Sequence, residues 1–162
     1  PMAYPDFLAM LDPIAPNGRN YYEPAYSVQQ FSDAALDTLI TWAGRMTSPF
    51  SAILIHHIHG AATRVAPDAT AFALRQPHYA VIHDAAWEEG LAETHIAWAR
   101  ASLAAMQPFA MPGVYVNFIV GQQEEAVRDS YRANYERLSA LKRQYDPTNF
   151  FCTNQNIKPA SK

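Results

Sequence analysis

The sequence predicts an α+β fold: a ferredoxin-like antiparallel sheet with helices on one face, followed by C-terminal helices. Three observations predict it. Apolar residues switch between alternation of period two and recurrence at helical spacing. The switches run strand, helix, strand, strand, helix, strand, which is the split βαβ order. Turn signals at Pro13 to Asn20, Thr47 to Pro49, Ala66 to Asp68, Pro108 to Gly113 and Asp146 to Thr148 punctuate the chain without any linker or internal repeat. Residues 1–162 therefore read as a single domain.

The elements follow in order. Asn20 to Val28 is rich in tyrosine and reads as a strand, with Pro24 implying an edge position or a bulge because proline cannot donate to a ladder. Ser32 is a good N-cap, and Leu36, Leu39, Ile40 and Ala43 then recur at helical spacing. Phe50 to Ile58 is a β-type run. Residues 59 to 77 read as a long irregular connection, with a short strand at Thr63 to Val65. His78 to Trp87 is a second β-type run, and Leu91, His95, Trp98, Ala99 and Leu103 mark an amphipathic helix. Gly113 to Val120 is a third β-type run. Two helical pieces follow, Glu124 to Tyr131 and Ala133 to Tyr145, stopped by Asp146-Pro147.

A sheet with one wet face alternates apolar and polar residues. Here Ala52, Leu54 and Ile58 share one face while Ile53 and Ile55 share the other, and Val114, Val116 and Phe118 oppose Tyr115 and Ile119. Both faces are apolar, and the placed helices cover one. The second face is expected to need a cover: another domain, another copy, or a ligand.

Composition narrows the functional classes. Hydrophobic residues make up 49% and charged residues 17% of the 162, which argues against disorder. The net charge is −3 with no basic stripe, which argues against nucleic acid as a partner. No apolar run approaches the ~20 residues a membrane span needs, so the expected compartment is the cytoplasm. The single cysteine, Cys152, excludes an internal disulfide and a cysteine-based zinc site.

Candidate chemistry is sparse. His57 and His59 project to one side of a strand, and His78, His83, Asp84 or Glu88 are possible third metal ligands. The spacing matches no known zinc pattern, and the favoured reading is a strand end whose imidazoles hydrogen-bond or line a cavity, with no metal. Neither GxGxxG nor GxxxxGK[ST] occurs, so the chain offers no phosphate loop. No nucleophile elbow is present. Tyr21, Tyr22, Tyr26 and Tyr115 are able to polarise a hydroxyl, although tyrosines more often serve as amphipathic packing.

The C-terminal third is more specific. Tyr115-Val-Asn117-Phe118 is followed by Asn134-Tyr135-Glu-Arg-Leu138, by Leu141-Lys142-Arg-Gln-Tyr145-Asp146-Pro147-Thr-Asn149-Phe150, and by Asn154-Gln155-Asn156-Ile157. Upstream lie His59-Gly60-Ala-Ala-Thr-Arg64-Val, Asp68-Ala-Thr70-Ala-Phe72 and Arg75. In series, these resemble the substrate-domain and tail region of the berberine-bridge-enzyme-like FAD-linked oxidoreductases, with the upstream motifs like the bacterial branch.

The resemblance implies that the chain corresponds to the later part of the substrate domain plus the tail, with the FAD-binding domain absent. It implies FAD as cofactor if the chain is paired with a flavin-binding domain, and otherwise none. Tyr115 and Asn117 match the Tyr-x-Asn pair near the flavin ring, and Asn156 is a further flavin-contact candidate. Phe118 falls where many plant members carry a tyrosine base, and a phenyl ring cannot take a proton. The segment around Ala80 and Val81 carries no acid where some relatives have a glutamate. His56 then stands as the catalytic acid or base candidate, with Tyr22, His56 and Phe118 lining the substrate pocket. The implied partners are a small-molecule substrate and an N-terminal FAD domain. The alternative is a free-standing flavin-less domain that binds a small molecule or runs a cofactor-free step, and dimerises through its open sheet face.

Overall fold

The computed structural model describes residues 1–10, 18–121, 124–153 and 155–161. It begins with a short helix α1 (Tyr4–Ala9) that buries no residue and carries no sequence signature beyond Pro5 at its start. The expected turn at Pro13 lies outside the described residues, as does Asn154.

Strands β1 (Asn20–Tyr22) and β2 (Ala25–Val28) both pair antiparallel with the long strand β4 (His78–Trp87), Tyr22 opposite Ala85 and Ala25 opposite Ile82. The register is continuous, so they are one strand interrupted at Glu23-Pro24. Pro24 still contributes its carbonyl, which accepts from the His83 amide at 2.9 Å. Strand β3 (Ala52–Ile58) pairs antiparallel along the other side of β4, Ala52 opposite Asp84 and Ile58 opposite His78. The sheet is thus β1/β2, β4, β3 across.

Helix α2 (Asp33–Ala43) starts where expected: the Ser32 hydroxyl accepts from the Ala35 amide at 3.2 Å. With α3 (Ala92–Met106) it covers one face of the sheet. Val28, Ala35, Leu39, Val81 and Met106 form one buried cluster beneath the helices, and Ala85, Trp87, Trp98 and Ala99 form another. Partly buried Ile53 joins both. The α+β class with its antiparallel sheet stands.

Two local expectations are corrected. Residues 113–120 do not form a strand; Val116–Phe118 is a single 3-10 turn. The ladder beside β2 is reduced to one bridge, Met111 donating its amide to Ser27 at 2.8 Å. Gly113 explains the break. Its φ of +80° lies in the left-handed region, and a Cβ there would stand 2.8 Å from the Asp129 carbonyl oxygen. Likewise, the strand expected at Thr63 to Val65 is replaced by a 3-10 turn at Gly60–Thr63.

The second face of the sheet is also less bare than its sequence implies. By register it carries Ser27, Ala80 and Ile82, all at most 2% exposed. Part of the cover comes from the chain itself, since Phe118 reaches His56 on this face. What stays open is the edge strand, where Leu54 and His56 are exposed. Helices α4 (Glu124–Tyr131) and α5 (Asn134–Tyr145) close the fold around Ile119, Val127 and Tyr135. Among the described residues, no helix is long and apolar enough to cross a membrane.

Candidate functional site

Alternation along β3 sends His56 to the face away from α2 and α3. Its ring meets Phe118 edge-on at 6.0 Å, Phe118 meets Tyr115 at 5.6 Å, and Tyr115 meets Phe72 at 5.9 Å. Four aromatic rings from three separated segments therefore form one row. The Asn117 amide donates to the Tyr115 hydroxyl at 2.9 Å, placing a polar pair beside the apolar rings. Each ring presents its edge to a neighbour, the arrangement its quadrupole favours.

Arg75 anchors the far end of the row. Its guanidinium lies 4.8 Å from the Phe72 ring centre and donates to the carbonyls of Ala62 and Phe72 and to the Thr70 hydroxyl. Asn134, at the start of α5, donates to the carbonyls of Pro67 and Thr70. The long connection is thus held by side chains instead of a ladder.

Asn156 is approached through its neighbours. Gln155 donates its amide to the Ile119 carbonyl at 2.9 Å, and Ile157 packs against the Ile119 cluster. The Asn156 Oδ1 between them is buried with no hydrogen-bond partner in the protein. A buried carbonyl oxygen left unpaired costs roughly 1–3 kcal/mol, so it is poised to accept from a ligand.

Tyr22 does not join this group. It pairs with Ala85 on the helix-covered face, opposite to His56, and its hydroxyl accepts from Arg100 at 3.4 Å. Tyr22 and Phe118 do border a common cleft of about 310 Å³ with Tyr26, Leu103, Met111 and Asp129, but His56 is not part of its lining. The histidine pair His57 and His59 stack on each other at 4.2 Å, and His57 stacks on Tyr79 at 4.5 Å. Among the described residues no three His, Cys, Asp or Glu side chains are grouped to hold a metal.

Asp84 was considered in the sequence only as a metal ligand. It lies on the same face as His56, and burial together with nearby Glu23 pushes its carboxyl up to about 6. Its Oδ1 is buried without a partner. Strict alternation within His78–Trp87 is the signal that would have placed it on this face.

Residues 114–158 match the family model described as "Berberine and berberine like", which contains the Tyr115–Asn117 pair and Asn156. The uncharacterized FAD-linked oxidoreductase YvdP of Bacillus subtilis (strain 168) is 31% identical over 97% of this chain. The chain matches the C-terminal region of the berberine-bridge-enzyme-like FAD-linked oxidoreductases. It spans 36% of YvdP, and 34% of the FAD-linked oxidoreductase DDB_G0289697 of Dictyostelium discoideum, to which it is 28% identical. The fold agrees with solved structures of this family: berberine bridge enzyme (H104A variant) superposes with a TM-score of 0.75 at 21% identity, covering 90% of this chain and 34% of that one. The glycopeptide hexose oxidase DBV29 superposes at 0.78 and 21%, over 88% and 33%. The chain thus spans about a third of the length of these relatives.

The aromatic row, the Asn117–Tyr115 pair and the unpaired Asn156 oxygen fit the ring end of a flavin, which is flat, apolar on its faces and rich in acceptors and donors at its rim. For the nucleotide end, the sequence offers no glycine-rich phosphate loop.

Proposed function

We propose that this chain forms the substrate-side cover of the flavin in an FAD-dependent oxidoreductase. The reading is supported chiefly by the row Phe72–Tyr115–Phe118–His56, which starts from His56 on the sheet face that α2 and α3 leave free and runs through Phe118 and Tyr115 to Phe72. Bound flavin would supply the electron acceptor for oxidation of an alcohol or similarly activated C–H bond.

The chain's own residues supply position and proton handling. Tyr115 and Asn117, fixed to each other, present a hydroxyl and an amide carbonyl to the ring, and Asn156 offers a second amide. Phe118 is a wall that excludes water and takes no proton. His56, exposed at the edge of the row, is the side chain that would act as general base and receive the proton of a substrate hydroxyl. Tyr22, on the opposite face, has no part in this step.

The test is to join the chain to an FAD-binding portion taken from a relative such as YvdP. The joined protein is expected to purify yellow and to bleach anaerobically with an oxidisable alcohol. His56→Ala should lower the bleaching rate by roughly 10²-fold, the usual contribution of a general base, with the flavin spectrum retained. A yellow protein whose bleaching is unaffected by His56→Ala removes the assigned role of His56. A well-folded joined protein that stays colourless removes the reading as a whole.

A further inference from the structure

Phe72 and Tyr115 meet although neither stands on a helix or a strand. Phe72 belongs to residues 64–77 and Tyr115 to residues 112–115, and both stretches are irregular. Such stretches keep a fixed shape only where groups outside them satisfy or wedge their backbone. Both are held from one place, the corner between α4 and α5.

On the Tyr115 side, three successive residues are held by the end of α4. The Arg132 guanidinium donates to the Pro112 carbonyl at 3.0 Å, Gly113 lies against the Asp129 backbone, and the Val114 amide donates to the Ser130 hydroxyl at 3.3 Å. Ser130 is buried, and its hydroxyl donates in turn to the Ala126 carbonyl at 2.7 Å. On the Phe72 side the holder is Asn134, the buried first residue of α5. Its amide donates to the carbonyls of Pro67 and Thr70 at 2.7 and 3.0 Å. Arg75 carries the hold onward, bonded to the Thr70 hydroxyl and to the Phe72 carbonyl.

Arg132 is the least expected residue of the corner. It closes α4 with a φ of +50°, a conformation that glycine or asparagine takes with less strain. Glycine would close the helix as well, but it has no side chain to reach Pro112. A residue kept in a strained conformation points to a duty of its side chain.

We infer that Arg132 and Asn134 are positioning residues for Tyr115. The α4–α5 corner suspends both irregular stretches and so fixes the Tyr115 ring against Phe72 and Phe118 from outside the row. The hold stands on the geometry alone; its bearing on oxidation rests on the flavin reading. Misplacing a group beside the reacting atoms by about 1 Å costs up to roughly 10²-fold in rate.

The hold is read in the 162-residue chain carrying isotope-labelled tyrosine rings. The Tyr115 signal is identified by its loss in Tyr115→Phe, and it senses the ring currents of Phe72 and Phe118. Arg132→Gly and Asn134→Asp should each move it, while the signal of Tyr22, on the opposite face, stays in place. Asn134→Asp keeps the shape of the side chain and replaces its donors by acceptors. Arg132→Gly relieves the left-handed backbone, so its urea midpoint should be no lower than the parent's even as the Tyr115 signal moves. Lost stability alone would not give that pair of results. Arg132→Lys keeps a donor and should move the signal less. In the joined flavoprotein, Arg132→Gly should slow bleaching roughly 10-fold with the half-saturating alcohol concentration unchanged. A Tyr115 signal at its parent position in Arg132→Gly overturns the inference, even if Asn134→Asp fails to fold. So does a displaced signal with undiminished bleaching. A joined parent that stays colourless counts against the flavin reading alone, and the ring signal then decides the hold by itself.

Discussion

The buried imidazole of His83 sets how this chain responds to acid. Its Nδ1 lies 2.7 Å from the Ser102 hydroxyl, its Nε2 has no partner, and burial lowers its pKa to about 4. The unfolded chain binds this proton near pH 6.5, so folding favours the neutral ring. The stabilisation is complete above about pH 6.5 and is lost as pH falls toward 4. At 1.36 kcal/mol per unit the shift amounts to on the order of 3 kcal/mol. Asp84 works in the opposite sense. Its carboxyl is raised to about 6 by burial and by Glu23, so ionisation costs stability above pH 6, and acidification toward 4 relieves the cost. Asp84 is only half buried, and solvent screening reduces that cost to about 1 kcal/mol. Two outcomes are expected from urea unfolding measured at pH 4.5 and 8. Asp84→Asn should be more stable than the parent by about 1 kcal/mol at pH 8, and should lose stability more steeply on acidification. His83→Gln should flatten the slope between pH 6.5 and 4.5. A parent chain whose stability rises through that window would contradict the assignment to His83. Neither group's environment was legible in the sequence, because alternation assigns a residue to a face but not to a depth.

Elements whose order is set by local pattern were legible; those set by close approach were not. The long β-run at His78–Trp87, the Ser32 cap and the helix stop at Asp146-Pro147 are all found where periodicity and capping place them. Asp146 does more than stop α5. Its carboxylate takes a hydrogen bond from Lys142 and the amides of Phe150 and Phe151, which together hold it below the usual carboxylate range. Residues 113–120 are the counterexample. Their alternation is strand-like, yet Gly113 adopts a left-handed conformation against the Asp129 backbone, and a turn results. That contact joins segments 16 residues apart and leaves no local trace. The consequence is measurable by comparing two glycines. Gly18→Ala meets open space at a φ of +94°, and should cost only the conformational term of roughly 1 kcal/mol. Gly113→Ala must also displace backbone, and should cost on the order of 2–3 kcal/mol in denaturant unfolding. It should also disturb the Tyr115–Phe118 contact, visible as altered near-UV circular dichroism. Equal costs at the two glycines would mean that the 113–120 turn is held by something other than this approach.

On the proposed reading the chain would meet a flavin's needs unevenly, which yields the last expectation. The residues that the sequence pointed to, Tyr115, Asn117, Phe118 and His56, meet in space although they come from two segments some 60 residues apart. Their grouping was legible only through the resemblance, since no spacing rule links β3 to the 3-10 turn. On the proposed reading, the aromatic row and the amide groups would meet the ring; for the pyrophosphate and adenosine the sequence has no glycine-rich loop. Affinity for a cofactor comes from contacts made, so groups that the chain does not touch should contribute nothing. Riboflavin and FAD are therefore expected to bind the isolated chain weakly and alike, within about threefold, because each offers the same ring. Both should wash out on desalting. After joining to an FAD-binding portion, FAD should outcompete riboflavin by several orders of magnitude, as the phosphates acquire partners. Quenching of flavin fluorescence in parallel titrations measures each affinity directly. Strong selection of FAD over riboflavin by the 162-residue chain alone would reveal a phosphate site built without a glycine loop. It would then be the ring-side role, and not the kinship, that had to be reconsidered.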